Sequence, residues 1–198
     1  EGGEIKVRGS DLKVSLGDVA KAVAGTPGYR LPDGVTPGME ATKTHIIEEE
    51  TFASGCAVAE VEVDIETGKV MILNYVMAQD SGRILDRQIA EGQLYGGIAH
   101  GIGNTLFEWM RYDDDAQPVT ATLAEYLLVT APEMPRAELI LHETPTTRNP
   151  LGVKGIGECG LMPATSAIVS AIEDALSPFD AHLTRVPLTP PDILAAIA

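Results

Sequence analysis

Cys56-Ala57-Val58-Ala59-Glu60-Val61-Glu62-Val63-Asp64 runs through Ile65 into Glu66-Thr67-Gly68, and a second apolar run follows over residues 69–77. The first segment alternates with period two. Val58, Glu60 and Glu62 fall on one face and Ala59, Val61 and Val63 on the other, as in a half-buried strand. Glu66-Thr67-Gly68 is turn chemistry, because glycine supplies a backbone conformation that reverses the chain cheaply. Two strands around so short a turn make an antiparallel hairpin. One side of it is apolar and has to be covered.

The cover comes from helices further along. Ile89, Leu94, Ile98, Ile102, Leu106 and Trp109 recur every three to five residues over 86–110, which predicts a helix. That helix carries Gly92, Gly96, Gly97, Gly101 and Gly103. Each costs about 1 kcal/mol relative to alanine, so close approach of another backbone or a ligand has to justify them. Residues 79–82 (Gln-Asp-Ser-Gly) read as a polar turn, and residues 123–130 and 137–142 as strands. Residues 145–162 are a long loop, and a helix runs from Pro163 to about Leu176. Thr189 caps a last short helix beginning at Pro190, with Asp192 at its third position. Towards the N-terminus, residues 4–8 read as a short strand. Ser15 caps a helix whose apolar stripe is Leu16, Val19, Ala20 and Val23, with Asp18 standing in for the usual capping glutamate. Pro27, Pro32 and Pro37 then interrupt a glycine-rich stretch. The expected organisation is a small N-terminal segment over 1–34 and a main body over 35–198. The expected fold class is α+β, with mixed β-sheets and helices packed on them.

The whole chain has 198 residues, 44% of them hydrophobic and 22% charged, as in an ordinary domain able to bury a core. Its formal net charge is −15. So acidic a surface repels phosphate backbones and anionic headgroups, which excludes nucleic acid and membrane surfaces as main partners. No run of about 18 apolar residues is present. The two cysteines, Cys56 and Cys159, form no CxxC pair, which fits a reducing, cytoplasmic setting. His45, His100, His142 and His182 lack metal-ligand spacing, and Asp113-Asp114-Asp115 reads as a solvated loop tip. Residue 1 is Glu rather than Met, and a piece of a longer protein is the expectation.

Chemistry concentrates in Gly155-Ile156-Gly157-Glu158-Cys159-Gly160. The string matches GxGxxG, but a dinucleotide loop follows a strand directly and is answered about 20 residues later by an acid ending the next strand. Here Asn149-Pro150-Leu151-Gly152 precedes it, and the downstream acids Glu173 and Asp174 fall inside a helix. The other reading is that the glycines bare Glu158, whose carboxylate near a helix N-terminus suits a general base. The residues alone leave open a third reading, a solvated and idle glutamate.

The run from Asn149 to Glu158 closely resembles the C-terminal active-site loop of the xanthine oxidase family of molybdenum hydroxylases. That family includes xanthine dehydrogenases, aldehyde oxidoreductases, aerobic carbon monoxide dehydrogenases and nicotinate-type hydroxylases. Further blocks resemble it in the same order: the hairpin at 57–68, Asp80-Ser81-Gly82-Arg83-Ile84, residues 91–98 (Glu-Gly-Gln-Leu-Tyr-Gly-Gly-Ile), and Pro187-Leu188-Thr189-Pro190. The similarity covers roughly residues 35–198 of a large molybdopterin-binding subunit. It implies an oxidoreductase that hydroxylates an aldehyde, purine or N-heterocycle with oxygen derived from water.

In that family a glutamate takes the proton from a hydroxyl made acidic by the metal, and Glu158 holds the matching position. The resemblance also implies pterin contacts at Gln93, Gly96, Gly97, Gly155 and Gly157. It implies no direct protein ligand to molybdenum, which the pterin dithiolene holds, and a cytosine dinucleotide form of the pterin. Iron–sulfur clusters and FAD are expected on partner chains, together with the rest of the molybdopterin subunit, since no cluster-forming cysteine set is present. Close helix packing, with Gln93 on the surface, is the competing account of the glycine-rich helix. A non-catalytic assembly module of the same fold is the competing account of the whole. His100 stands where many relatives have glutamine and reads either as a donor of one hydrogen bond in its place or as a core residue. Cys159 is expected to be neither nucleophile nor ligand.

Overall fold

A computed structural model describes residues 2–47 and 49–198. The chain divides into two compact units, Glu1–Ile46 and Ile47–Ala198. In the first, β1 (Glu4–Lys6) pairs antiparallel with β2 (Lys13–Ser15), and α1 (Leu16–Val23) follows at once. Ser15 caps that helix as its sequence predicts: Oγ accepts from the Asp18 amide at 3.0 Å and donates to the Asp18 carboxylate at 2.8 Å.

The second unit is built on a three-stranded sheet of order β3-β4-β5, with β3 at Ser54–Val63, β4 at Val70–Asp80 and β5 at Ala137–His142. Strands β3 and β4 form the expected antiparallel hairpin. Its turn is closed by Asp64, whose Oδ1 accepts from the amides of Glu66 (2.9 Å) and Thr67 (3.2 Å). Bonds from Thr67 and Glu66 hold this carboxyl below its ordinary pKa. Gly68 has φ +73°, and a side chain there would run into the Pro190 backbone.

A bulge in the register between Glu60 and Val61 leaves Leu73 without an opposite partner. It resets the alternation of β4, so that Val70 and Ile72 before it and Tyr75, Met77 and Gln79 after it point to the same side. Strand β5 runs parallel to β4, which requires a crossover. Helix α2 (Arg87–Leu106) provides it, capped by Asp86, whose carboxylate accepts from the Ile89 amide at 3.0 Å. Two more helices follow, α3 (Ala164–Ala175) and α4 (Pro190–Ala196).

The core is one layer: Tyr75 and Met77 from the sheet meet Leu94, Ile98 and Ile102 of α2, Ile168 and Ile172 of α3, and Ile193 of α4. Each is buried to within 1% of completely, and an aliphatic side chain so placed contributes about 1.5–3 kcal/mol. The Tyr75 hydroxyl lies inside without a partner among the described residues, and burial pushes its pKa up to about 12. The opposite sheet face is bare: Val58, Met71 and Ile140 stay exposed.

Three expectations are corrected. Residues 123–130 form no strand. Thr122 accepts from the Ala124 amide through its hydroxyl and from Glu125 and Tyr126 through its carbonyl, which winds the segment into a turn. The polar turn expected at 79–82 begins later, because Gln79 and Asp80 complete β4 opposite Gly55 and Ser54. His100 is exposed on α2, not in the core.

Candidate active site

The site grows from the C-terminal end of β4, where the buried face of the strand runs out of hydrophobic residues. Gln79 is 2% exposed and Ser81 is 4% exposed, and the Gln79 amide donates to the Ser81 hydroxyl at 3.0 Å and to the Asp80 carbonyl at 3.3 Å. Asp80, on the other face, is a hub. Its Oδ1 accepts from the amides of Gly82 (2.9 Å) and Thr144 (3.1 Å), and its Oδ2 faces Lys154 Nζ at 3.0 Å.

The two charged side chains retain only 17% and 14% of their exposure. Burial alone would raise the Asp80 pKa, but the bonds from Gly82, Lys154 and Thr144 outweigh it and hold the carboxyl well below the usual range. Removing either partner of so enclosed a pair leaves an uncompensated charge, at a cost of about 3 kcal/mol.

The turn after β4 is sewn to the start of the glycine-rich loop. Lys154 N donates to Ser81 O and Arg83 N to Gly152 O, each at 2.8 Å, around an antiparallel bridge between Gly82 and Val153. Gly82 and Gly152 both have φ +71°, and a side chain on Gly82 would strike Gly152 O. Asn149 closes the loop on itself: its side chain donates to Val153 O at 2.8 Å and accepts from Val153 N at 3.1 Å. Residues 155–163 then turn into α3, and the Glu158 carbonyl accepts from the amides of Leu161 and Met162.

Gly155, Ile156, Gly157, Glu158 and Cys159 form one wall of a cleft of about 660 Å³. Gln79, Ser54 and Gly55 line it from the sheet, Thr51, Phe52 and Ala53 from the segment leading into β3, and Met162 and Pro163 from the entry to α3. The wall is largely apolar, and Glu158 is its one charged side chain among the described residues. Phe52 and Met162 are 76% and 75% exposed. Burial pushes the Cys159 thiol up, and the bonds from Ser81 and Gln79 do not offset it. Its Sγ donates to Gly155 O at 3.5 Å. A thiol kept protonated is no nucleophile at neutral pH.

The structure gathers Glu158, Gly155 and Gly157 in one cleft and keeps Gln93, Gly96 and Gly97 on α2, outside its lining. Gly97 touches the far side of the loop: a Cβ there would lie 2.7 Å from Gly160 Cα and 2.8 Å from Leu161 N. Gly101 is pressed on Ala164, and Gly103 on Glu108. Close packing therefore explains Gly97 and Gly101, while Gly103 meets only the end of the Glu108 side chain. Packing does not explain Gly92 and Gly96, which face open space on α2, or Gly155 and Gly157 in the cleft. None of these four has a positive φ or a neighbour within 4 Å of the missing Cβ. Gln93 is exposed one turn from Gly96. Glycines required by neither backbone nor packing fit a group that lies flat against the main chain.

Residues 1–135 match the model of a family described as the molybdopterin cofactor-binding domain. The chain belongs to this family. It is 37% identical over 187 residues to the nicotine 6-hydroxylase large subunit of Paenarthrobacter nicotinovorans, covering 94% of this chain and 23% of that one. It is 34% identical over 194 residues to the 6-hydroxypseudooxynicotine dehydrogenase complex subunit gamma of the same organism, covering 98% and 24%. Among solved structures, quinoline 2-oxidoreductase from Pseudomonas putida 86 superposes with a TM-score of 0.90 at 34% identity, over 98% of this chain and 25% of that one. This molybdopterin-binding domain is thus of the xanthine oxidase-family type, as the ordered sequence blocks implied, and its α+β architecture is that of the family. It spans about a quarter of the length of the curated relatives it matches.

Reasoning from sequence missed Gln79, the Asp80–Lys154 pair, and Phe52 and Met162 as cleft residues. A polar residue at the inward position of an otherwise apolar strand was the available signal for Gln79. The ion pair joins residues 74 positions apart and left no local trace. Among the described residues no cluster of His, Cys, Asp and Glu could hold a metal ion, and no helix is long and apolar enough to cross a membrane.

Proposed function

We propose that this domain contributes one wall of the active site of a molybdenum hydroxylase, with Glu158 as the general base. The observation that carries the reading is the cleft wall Gly155–Cys159, which presents a single carboxylate directly after two glycines, Gly155 and Gly157, whose lack of a side chain nothing in the chain requires. Gly155 and Gly157 would let a molybdopterin group approach the main chain, and Gln93 and Gly96 would meet it along α2. Gly97 would hold α2 against the loop. When bound, that group supplies an acidified oxygen donor and an acceptor for two electrons.

The chain's own part is to place the Glu158 carboxylate where it takes a proton as the substrate carbon gains oxygen. The apolar side chains of Ile156, Met162, Phe52 and Pro163 give an organic substrate a surface to pack on beside the base. An aldehyde, purine or N-heterocycle is the substrate class, and the cytosine dinucleotide is the pterin form. Iron–sulfur and FAD subunits and the remainder of the molybdopterin subunit would take up the electrons in the cytoplasm. The bare sheet face around Val58, Met71 and Ile140 is suited to such partners.

Glu158→Gln in the assembled enzyme tests the reading. The variant keeps its molybdenum and its melting temperature and loses about 10²–10⁴-fold in the rate of enzyme reduction by substrate. Turnover within a few-fold of the parent, with full metal content, removes Glu158 as the base. An intact complex devoid of molybdenum favours the assembly module instead.

A further inference from the structure

We infer that the Asp80–Lys154 pair is a clamp that aims the Glu158 carboxylate, making Lys154 and Asp80 positioning residues of the proposed site. The inference rests on the reading of Glu158 as the base. The glycine-rich loop is gripped on both sides of that residue, by the turn after β4 before it and by α2 after it. On one side Lys154 is held twice, by its side chain on Asp80 and by its amide on Ser81 O. On the other, Gly160 is pressed on α2, where a Cβ would strike Leu94 O and lie 3.0 Å from Gly97 Cα.

Between the two anchors lie only Gly155, Ile156, Gly157, Glu158 and Cys159. Neither glycine has a neighbour within 4 Å of where a Cβ would lie. Backbone bonds from Cys159 N to Ile156 O, and from Leu161 N and Met162 N to Glu158 O, wind the span into a turn, and the two glycines leave the direction of that turn to be set by its two ends. Tight binding of a transition state demands that such a group be held to a fraction of an ångström.

Asp80 can bear this role because its remaining lone pairs are taken by the amides of Gly82 and Thr144, which fix the carboxylate to two other parts of the chain. Lys154 does not act on the chemistry itself. Its ammonium is spent on Asp80, and Lys154 lines not the cleft of Glu158 but the adjoining hollow on the other side of Thr51 and Phe52, with Thr146 and Arg148. The pair reads as an aiming device, and its charge is already balanced where it stands.

The test uses the assembled, molybdenum-loaded enzyme with Lys154→Met, Asp80→Asn, both together, and Lys154→Arg. Three quantities are read: kcat and KM, molybdenum content, and amide hydrogen exchange over residues 155–159. Each single variant is expected to lower kcat by about 10–100-fold with KM changed less than threefold. Exchange over 155–159 speeds up while metal content holds. The double variant is no worse than the worse single one, because the two residues act as one unit, and Lys154→Arg recovers most of the loss.

Unchanged kcat and unchanged exchange in Lys154→Met overturn the clamp. Loss of molybdenum in step with activity overturns it too, since the pair would then serve cofactor retention and not aim. If Lys154→Met does not assemble, the milder Asp80→Asn decides by the same measurements. The two readings fail separately. Normal turnover in Glu158→Gln with faster loop exchange in Lys154→Met removes the base and keeps the clamp. A dead Glu158→Gln with a wholly normal Lys154→Met does the reverse.

Discussion

Two sets of glycines in this domain look alike in sequence and differ in what they do. Gly97, Gly101 and Gly103 on α2 are each met by atoms of the same chain: the Gly160 and Leu161 backbone, the Ala164 side chain and the Glu108 side chain. Gly155 and Gly157 in the loop, and Gly92 and Gly96 on the open side of α2, are met by nothing. Gly97 and Gly101 are fixed by folding, and Gly103 more loosely, by the end of one side chain. The second set costs helix or loop stability and returns none within the chain, so its reason lies in what the chain binds. The boundary between them runs through adjacent positions, Gly96 and Gly97, which point about 100° apart around one helix.

The largest effect should come from crossing into the first set. Gly97→Val drives a branched side chain into the Gly160 backbone and is expected to destabilise the domain by about 3 kcal/mol, read as a lowered midpoint in urea. A midpoint unchanged within error would show that α2 and the loop can part freely, and the comparison would lose its first half.

A second effect concerns the sheet end that steadies the loop. The folded pKa of Asp80 is depressed, so its contribution to stability is present above the unfolded carboxyl pKa of about 3.9 and is lost as pH falls below it. Melting temperature should therefore decline on acidification below about pH 4, and Asp80→Asn should flatten that decline. Equal slopes for the two proteins would count against the enclosed ion pair.

Gly96→Ala probes the second set on its helix side. With open space around the new methyl and an ordinary helical backbone, it should raise stability by up to about 1 kcal/mol while weakening molybdopterin retention in the assembled enzyme. Gly155→Ala is the smallest in stability, within about 0.5 kcal/mol of the parent, and its consequence should appear in turnover alone. If either substitution leaves metal content and turnover untouched, those glycines are incidental and the distinction between the two sets collapses.

Much of the scaffold was legible because it is local. The alternation at 57–63 announces a strand, Glu66-Thr67-Gly68 a turn, Ser15 and Thr189 two helix caps, and the three-to-five spacing a helix at α2. Each depends on residues a turn or a pleat apart, and all are found in place. Residues 123–130 failed on the same ground. Their apolar run suggested a strand, but Thr122 offers the backbone nearer bonds than any sheet could. The extension of β4 through Gln79 and Asp80 was hidden because two polar residues read as a turn, although one faces the cleft and the other holds the loop.

By itself, then, the sequence determined the elements, the family resemblance and the loop that carries Glu158, since those are written in short-range pattern and motif. Tertiary structure alone decided which glycines face atoms and which face space, that Asp80 finds Lys154 across 74 residues, and that Gln79, Phe52 and Met162 share a cleft with Glu158. The physical reason is one of range. Propensity, capping and periodicity act between neighbours in the chain, whereas a clamp and a cleft are made by groups that only folding brings within a few ångströms.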